Sequence, residues 1–219
     1  MKIVRILLSF VVAINGSAAI AQSPAWPSEA PDDWLLAFID VETTGLIPGY
    51  HEMIDIGIVM TDLDGAEKGK FFVRIQPAYP ERTQEGARAV NAFDAERWKE
   101  MNALSISESI EGIVAFHNEI AGDKSVLMVA YNSHFDAAFL DHLFRAGDRS
   151  WRELYHYFIL DLPSMAWSQG LRGLAGQELT DILGVEDEPH VAEDHTGITG
   201  AEVNARIYRA LLRRHKGIL

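Results

Sequence analysis

Cysteine is absent from this 219-residue chain, and positive charge is scarce. Without cysteine no disulfide and no thiolate chemistry is possible, which suits any compartment. Lysine and arginine together number 19, against 32 aspartates and glutamates, so the formal net charge is -13. A chain of this charge does not hold long nucleic acid through a general electrostatic footprint. Any contact with nucleic acid must therefore be local, which favours short substrates or chain ends over duplex tracts.

Long apolar runs are also missing, apart from one near the N-terminus. Lys2 and Arg5 precede a mostly apolar run at 6–14, and Ala19-Ile20-Ala21 supplies small residues at a cleavage pattern. This pattern predicts a secretory signal peptide over residues 1–21 and a periplasmic or secreted mature protein. Its removal would change the net charge from -13 to -15, because it carries two basic residues and no acid. The alternatives are an uncleaved anchor, or a start codon placed too early before a cytoplasmic enzyme.

The rest of the chain divides into a proline-containing segment and one domain. Three prolines predict an extended linker over residues 22–33, and residues 34–219 have the length of a single domain. Strands followed by strands that alternate with helices indicate an α/β fold, in which an antiparallel meander is joined by parallel strands and flanked by helices. The predicted strands cover 35–39, 53–60, 70–75, 126–130 and 157–160, and the predicted helices cover 92–101, 107–120, 137–145 and 201–214.

Two carboxylates, Asp40 and Glu42, stand at the end of the first predicted strand. Residues two apart in a strand point the same way, so both project from one face. They repel each other unless a cation lies between them, and hard divalent ions such as Mg²⁺ or Mn²⁺ prefer carboxylate oxygens. The alternative for an isolated pair of this kind is a strand that runs out into a solvated acidic turn.

The seven residues 40–46, DVETTGL, favour the metal site because they resemble a known motif. They match the first motif, D-x-E-T-T-G-L, of the DEDD 3'-5' exonucleases in the ribonuclease H-like superfamily at every position. The resemblance extends from about residue 35 to the C-terminus. It implies a ribonuclease H-like mixed sheet and hydrolysis of phosphodiester bonds from the 3' end, with release of nucleoside 5'-monophosphates.

A second motif lies at 129–140, where the sequence is VAYNSHFDAAFL. Asn132, Phe135 and Asp136 match the family order of an apolar strand, an asparagine, and Phe-Asp at the start of a helix. Alone, Asp136 would more often be a helix-capping residue. Beside the first motif, the resemblance makes it a third metal carboxylate.

The third family motif, H-x-A-x-x-D-A, is incomplete here and allows two registers. If His195 is the family histidine, Gly200 stands where the fourth carboxylate belongs; if it is His190, then His195 takes that position. A capping box of Thr199 and Glu202 before a good helix favours the first register. Three acids could replace the missing carboxylate, with Asp194 preferred over the other two, Glu193 and Glu202.

The resemblance implies two Mg²⁺ or Mn²⁺ ions held by Asp40, Glu42 and Asp136, with His195 as the general base. Single-stranded 3' ends or short oligonucleotides are the implied partners, and no membrane is involved after cleavage. Candidate contacts to the terminal nucleotide are Thr43, Thr44, Leu46 and Asn132, and aromatic residues that could stack on a base are Phe135, Trp98, Trp151 and Trp167. The alternatives are a binding module that has lost a metal ligand, and a two-metal phosphodiesterase acting on small substrates.

Overall fold

The computed structural model describes residues 25–217. The predicted signal peptide and residues 22–24 of the predicted linker lie outside the described residues. The described part of that linker forms a turn and a 3-10 helix, Pro31–Asp33, and the Trp34 indole donates to the carbonyl of Ala25 at 2.7 Å. This segment therefore packs against the start of the first strand.

A five-stranded mixed sheet forms the centre of the molecule, in the order β3-β2-β1-β4-β5. The first three strands pair antiparallel, and β4 and β5 continue the sheet in parallel beside β1. The predicted meander and mixed sheet are confirmed. The strands are β1 (Trp34–Thr43), β2 (Met53–Thr61), β3 (Glu67–Arg74), β4 (Ser125–Ala130) and β5 (Ile159–Asp161).

In the described part of the chain, seven α-helices accompany this sheet: α1 (Glu85–Asn91), α2 (Ala95–Glu100), α3 (Ile106–Ala121), α4 (Ser133–Ala146), α5 (Leu162–Ser168), α6 (Gly176–Leu183) and α7 (Gly197–His215). The helix predicted at 92–101 is two helices, because Ala92 adopts a left-handed conformation that ends α1 and Asp94 then caps α2. Helices α5 and α6 were not predicted. No helix within residues 25–217 is long and apolar enough to cross a bilayer.

Two apolar cores lie on the two faces of the sheet. On one face β1, β2 and β4 bury side chains against α3 and α4, and on the other they bury side chains against α5, α6 and α7. Strand β1 is buried along almost its whole length, as its run of consecutive apolar residues predicts. Its C-terminal end, which carries the first motif, is thereby fixed from both sides.

Helix α7 begins four residues earlier than predicted. Its capping box consists of Thr196 and Thr199, in place of the predicted Thr199 and Glu202. Two glycines, Gly197 and Gly200, lie in its first turn, where the helix backbone presses on the sheet. A β-carbon on Gly197 would lie 2.6 Å from the Asp40 carbonyl oxygen and from the Gly57 amide nitrogen. Helix propensity describes an isolated helix and does not include packing against a sheet. The close approach of α7 to the sheet therefore explains why the helix begins earlier than predicted.

Candidate active site

Glu42, near the end of β1, is held from two sides. Its Oε2 accepts a hydrogen bond from Nδ2 of Asn91 at 3.0 Å, and its Oε1 lies 3.1 Å from Nε2 of His195. Asn91 belongs to α1 and also donates to the Thr43 carbonyl at 3.0 Å. The first motif is thus tied to α1 and to the segment before α7.

Asp136 reaches the same end of β1 because of how α4 begins. Asn132 adopts a left-handed conformation (φ 62°) that turns the chain into the helix, and Oδ1 of Asp161, at the end of β5, accepts from the Ser133 amide at 3.1 Å. Asp136 is buried in the first turn of α4. Backbone amides of Asp136 and Val41 stabilise its charged form. The second motif thus supplies a third carboxylate beside the first two.

Nearby carboxylate charges raise the pKa of Asp40 and of Asp136, as expected for acids that lie close together. Burial raises the pKa of Asp40 well above its usual value, and the charges of Asp136, Glu42 and Glu188 raise it further. Burial also raises the pKa of Asp136, and Glu42 adds to this effect. Side chains so placed are costly to ionise together unless a cation compensates them.

His195 lies just before α7 and faces the acids. Its hydrogen bond to Glu42 and the nearby charge of Glu188 raise its pKa to about 9, although partial burial opposes this shift. His195 is therefore protonated at neutral pH in this arrangement. The position is fixed by the Gly197 amide, which donates to Oδ1 of the fully buried Asp55 on β2 at 2.9 Å.

The His195 register of the third motif is the one that the fold places at the carboxylates. His190 is exposed, and its nearest acid is Asp187, whose Oδ2 lies 3.7 Å from Nε2. Gly200 is in the first turn of α7, directly against Asp40. A β-carbon there would lie 2.5 Å from Cγ of Asp40. The Asp40 carboxylate occupies the space next to the position where the family motif has its fourth acid.

None of the three acids suggested as substitutes faces this position. Glu193 and Asp194 are exposed, and Glu202 pairs with Nζ of Lys70 at 2.8 Å. The structure instead brings in Glu188, whose Oε2 is inaccessible to solvent, lacks a hydrogen-bond partner and lies 3.5 Å from Nδ1 of His195. Burial and the charge of Glu42 raise the pKa of Glu188.

The donor set suits a hard divalent ion. Carboxylate oxygens are the ligands that Mg²⁺ and Mn²⁺ prefer, and Asp40, Glu42, Asp136 and Glu188 bring several to one place. Within residues 25–217, however, no group of three or more His, Asp and Glu side chains is arranged so that it could hold an ion as it stands.

A cavity of about 340 Å³ opens beside Glu42. Its wall combines the loop after β1, helix α1 and the start of α4, and the residues that line it are Val41, Glu42, Thr43, Leu46, Gln84, Gly86, Ala87, Val90, Asn91 and Phe135. Exposed Leu46 and Val90 together with Phe135 make it mainly apolar. This composition suits a flat, apolar group placed next to the carboxylates.

Two of the four nucleotide-contact candidates, Thr43 and Leu46, line this cavity. Thr44 is fully buried and accepts the Glu52 amide on its hydroxyl, whereas Asn132 is exposed at the start of α4. Of the four aromatic candidates, Phe135 lines the cavity. Trp98 and Trp151 are core residues, and Trp167 is half exposed with Arg172 over its ring at 4.1 Å.

Sequence reasoning missed four polar residues of the site: Asn91, Asp55, Glu188 and Asp161. Asp55 stands inside an apolar run, at the position opposite Glu42 in the β1–β2 pairing, and that polar interruption was an available signal. Asp161 directly follows the strand predicted at 157–160. Nothing in the local sequence distinguishes Glu188 from the acids around it.

The fold and the converging acids define this chain as a ribonuclease H-like nuclease domain. The exonuclease family model RNase_T matches residues 37–208, which is most of the chain. The chain belongs to this family, and its membership of the DEDD 3'-5' exonucleases, inferred from the motifs, is confirmed.

Three relatives illustrate the similarity. The 3'-5' DNA exonuclease Cap18 of Escherichia coli is 22% identical over 182 residues, which cover 82% of this chain and 92% of that protein. The nuclease domain of 3'hExo, a DEDDh family member bound to rAMP, gives a TM-score of 0.67 at 13% identity and covers 84% of this chain and 93% of that one. E. coli exonuclease I with a dT13 oligonucleotide gives 0.69 at 15% identity, over 84% of this chain.

The chain spans only 42% of the length of exonuclease I. Another structure of that enzyme, a complex with single-stranded DNA in its zinc-bound form, gives a TM-score of 0.68. At these identities the solved structures establish the fold of this chain.

Proposed function

We propose that this protein is a 3'-5' exonuclease that hydrolyses the terminal phosphodiester bond of short or single-stranded nucleic acids and releases nucleoside 5'-monophosphates. One observation carries the proposal: Asp40, Glu42 and Asp136 converge from two distant motifs, and Glu42 lines a mainly apolar cavity. A terminal base fits such a cavity, and its phosphate would then lie at the carboxylates.

Two divalent ions, Mg²⁺ or Mn²⁺, would be held by Asp40, Glu42 and Asp136. Ions of this kind supply charge neutralisation for the attacking and leaving oxygens of an in-line displacement. We assign the fourth carboxylate to Glu188, since its Oε2 has no hydrogen-bond partner and its charge acts on Asp40. In this chain Glu188, in the loop before α7, would thus supply the fourth carboxylate that Gly200 cannot provide.

The terminal nucleotide would be oriented by residues at the mouth of the cavity. Leu46 and Phe135 offer apolar surface to the base, and Asn91 keeps Glu42 in place from behind. The side chains of Thr43 and Thr44 are engaged within the loop, with Thr43 donating to the Gly45 carbonyl at 2.8 Å and Thr44 accepting from Glu52 at 2.9 Å. Their contribution would therefore come from backbone groups. Asn132 would act through the left-handed turn that aims Asp136.

His195 would act as the general base for the attacking water. To accept a proton it must release Glu42, because Nε2 is engaged by that carboxylate and the ring carries a proton at neutral pH. Glu188 lies on the Nδ1 side of the ring, where a carboxylate stabilises the imidazolium formed after proton transfer. The chain thus has an acid on each side of the base.

A second candidate is a module that binds nucleic-acid ends without cleaving them. The absence of a carboxylate at Gly200 favours it, because a weakened ion site could leave the nucleotide cavity intact. The third alternative, a phosphodiesterase for small substrates, uses the same acids and differs only in what fits the cavity.

The deciding experiment follows 5'-labelled single strands of about ten nucleotides with Mg²⁺ or with Mn²⁺. We expect a ladder of products shortened from the 3' end together with nucleoside 5'-monophosphates, and no products from Asp40→Asn or Asp136→Asn. Binding of 3' ends without mononucleotide release would instead establish the module. Hydrolysis of a chromogenic phosphodiester without shortening of any oligonucleotide would establish the small-substrate enzyme.

We also propose that the protein acts in the periplasm or outside the cell. The charge and spacing of residues 1–21 support this, with cytoplasmic residence as the alternative. N-terminal sequencing of the protein from its native host would detect cleavage after Ala21. Retention of Met1 or Lys2 would show that no such cleavage occurs.

A further inference from the structure

An exposed aromatic cluster lies beside the cavity, on the loops that follow β1 and β3. Tyr50 and Tyr79 expose 53% and 48% of their surface, and the guanidinium of Arg82 lies between them. It is 3.7 Å from the ring centroid of Tyr79 and 5.1 Å from that of Tyr50, and its Nη1 donates to the Tyr50 carbonyl at 3.3 Å. These contacts hold a cation and two rings together at the surface.

The cluster is connected to the first motif through a short chain of contacts. The Tyr50 ring meets the buried His51 ring edge-on at 4.9 Å, and the His51 ring lies directly against Gly45 of DVETTGL. On the other side, Gln84 lines the cavity, and its amide donates to the Thr44 carbonyl at 2.8 Å. A nucleic-acid strand leaving the cavity past Leu46 would therefore meet these rings next.

Arg82 has no acidic partner within residues 25–217, so its charge is available to a ligand. The nearby Glu52 is engaged, because its two oxygens accept the amides of Ala78 and Tyr79 at 3.0 and 2.7 Å. Many other basic side chains of the protein pair with carboxylates, among them Lys68, Lys70, Lys99, Arg145, Arg149, Arg206 and Lys216. In a chain of net charge -13, a cation without an acidic partner beside the candidate active site provides a local point of attraction for a polyanion.

We propose that Tyr50, Tyr79 and Arg82 form a second nucleotide subsite, which binds a nucleotide on the 5' side of the terminal one in a single-stranded substrate. The inference rests on the proposed exonuclease function. Tyrosine rings stack on any base, and an arginine guanidinium both stacks and binds phosphate, so the subsite is expected to be tolerant of sequence. A base paired within a duplex is not free to stack there, which restricts the subsite to unpaired ends.

The test compares oligonucleotide binding with hydrolysis of a substrate too small to reach the cluster. Binding of a fluorescent single strand of about eight nucleotides is measured by anisotropy in an Asp40→Asn background, without and with Tyr50→Ala, Tyr79→Ala or Arg82→Gln. We expect each additional substitution to raise Kd about tenfold. In the otherwise wild-type protein, kcat/KM for the oligonucleotide should fall about tenfold more than kcat/KM for the p-nitrophenyl ester of thymidine 5'-monophosphate.

Conservative variants separate this role from a merely structural one. Tyr50→Phe and Tyr79→Phe keep the stacking surface and should keep affinity, whereas Arg82→Lys keeps the charge and loses the planar stack. If Arg82 binds phosphate, Arg82→Gln should also lower the slope of log Kd against log salt by about 0.7, and the tyrosine variants should not. Tyr157→Ala is the matched control. It removes a tyrosine that is 74% exposed, lies under Arg152, and precedes β5 at the opposite end of the parallel strands.

The outcomes distinguish failure of the subsite from failure of the proposed function. Unchanged oligonucleotide affinity in Tyr50→Ala, Tyr79→Ala and Arg82→Gln would overturn the subsite while leaving the exonuclease untouched. Equal losses for a single strand and a blunt duplex would overturn stacking of an unpaired base. If the wild type hydrolyses neither substrate, the exonuclease is refuted, and the anisotropy series still decides whether the cluster binds single strands.

Discussion

At the scale of single residues, the neighbours of Glu42 decide what the candidate site can do. Asn91 holds one of its oxygens and His195 the other, so that the carboxylate is oriented by groups from both sides of β1. The asparagine is buried, and its Oδ1 accepts the amide of Phe93 at 3.1 Å. Its bonds to Glu42 and to the Thr43 carbonyl fix α1 against the first motif, and the bond from Phe93 orders the chain just after α1.

Substitution of Asn91 by alanine should therefore affect both stability and activity. The Thr43 carbonyl and the Phe93 amide would lose buried partners, which costs about 1–3 kcal/mol in free energy of unfolding. Because Glu42 would be less well oriented, we also expect nuclease activity to fall about tenfold or more. Denaturant unfolding and initial rates measure the two effects, with exposed Asn118→Ala as the control. Wild-type rates in Asn91→Ala would show that Glu42 needs no orienting partner.

Glu188 offers a second test at this scale, aimed at the ion site. Glu188→Gln removes the charge and keeps the size, so we expect Mn²⁺ affinity to fall about tenfold in titration calorimetry. Glu193→Gln changes an exposed acid of the same loop and should bind Mn²⁺ like the wild type. Unchanged Mn²⁺ affinity in Glu188→Gln, with an altered pH profile of activity, would limit Glu188 to positioning His195.

The motif residues were predictable from sequence, whereas Glu188, the proposed replacement for the missing fourth carboxylate, was not. Asp40, Glu42, Asp136 and His195 stand in fixed patterns, and the structure brings all four together. Glu188 lies seven residues before His195 in an irregular connection, where position depends on tertiary packing and not on any local period. The sequence offers three acids closer to Gly200, namely Glu193, Asp194 and Glu202. It gives no sign that the more distant Glu188 is the one that lies beside His195.

At the scale of elements, the crossing of α7 over β2 positions the third motif. The backbones of Gly57 and Gly197 touch there, and a β-carbon on Gly57 would overlap the Gly197 carbonyl group. Helical periodicity predicted most of α7 correctly from its apolar stripe. It placed the helix start too late, because glycines that are poor in isolated helices are required where two backbones meet.

Alanine at either glycine should push α7 away from the sheet. We expect Gly57→Ala and Gly197→Ala to lower the free energy of unfolding by about 2–3 kcal/mol, since overpacking strains a contact between two backbones. Gly176→Ala in α6 is the matched control, because nothing lies within 4 Å of a β-carbon there. Thermal and urea unfolding measure the difference. Wild-type stability in both crossing variants would mean that the two elements tolerate separation.

At the scale of the whole molecule, the mixed sheet and its two helical layers followed from the order of the apolar runs. The short helices α5 and α6 did not, because seven or eight residues contain too few turns for a clear period. The acidic net charge also has a global consequence. Most contacts with a polyanion would be unfavourable, so affinity for the proposed substrate would have to come from the proposed ion site, the cavity and the proposed subsite at the aromatic cluster.

Acid sensitivity can be tested at this scale through His117 of α3. Burial lowers the pKa of His117 to about 4, and its Nδ1 has no hydrogen-bond partner. The unfolded chain binds the proton more readily, so the stability that neutral His117 provides is complete above pH ~6.5 and is lost as the pH falls toward 4. Over this pH range the free energy of unfolding of His117→Phe should fall by about 2 kcal/mol less than that of the wild type.

The measurement is urea unfolding at several pH values between 4 and 7. Exposed His215→Gln is the control, and we expect its stability to follow the wild-type pH dependence. If His117→Phe loses as much stability as the wild type between those limits, protonation of His117 does not contribute to acid unfolding.

The contact between Gly57 and Gly197 has a further consequence for how such a protein can diverge. Because the two main chains are in direct contact, with no side chain between them, substitutions in the surrounding layers leave the distance between them unchanged. The distance of His195 from the acids of β1 therefore depends on this backbone contact and not on the side chains of the two apolar cores, and residues of the connection before α7 other than Glu188 and His195 can change without altering it.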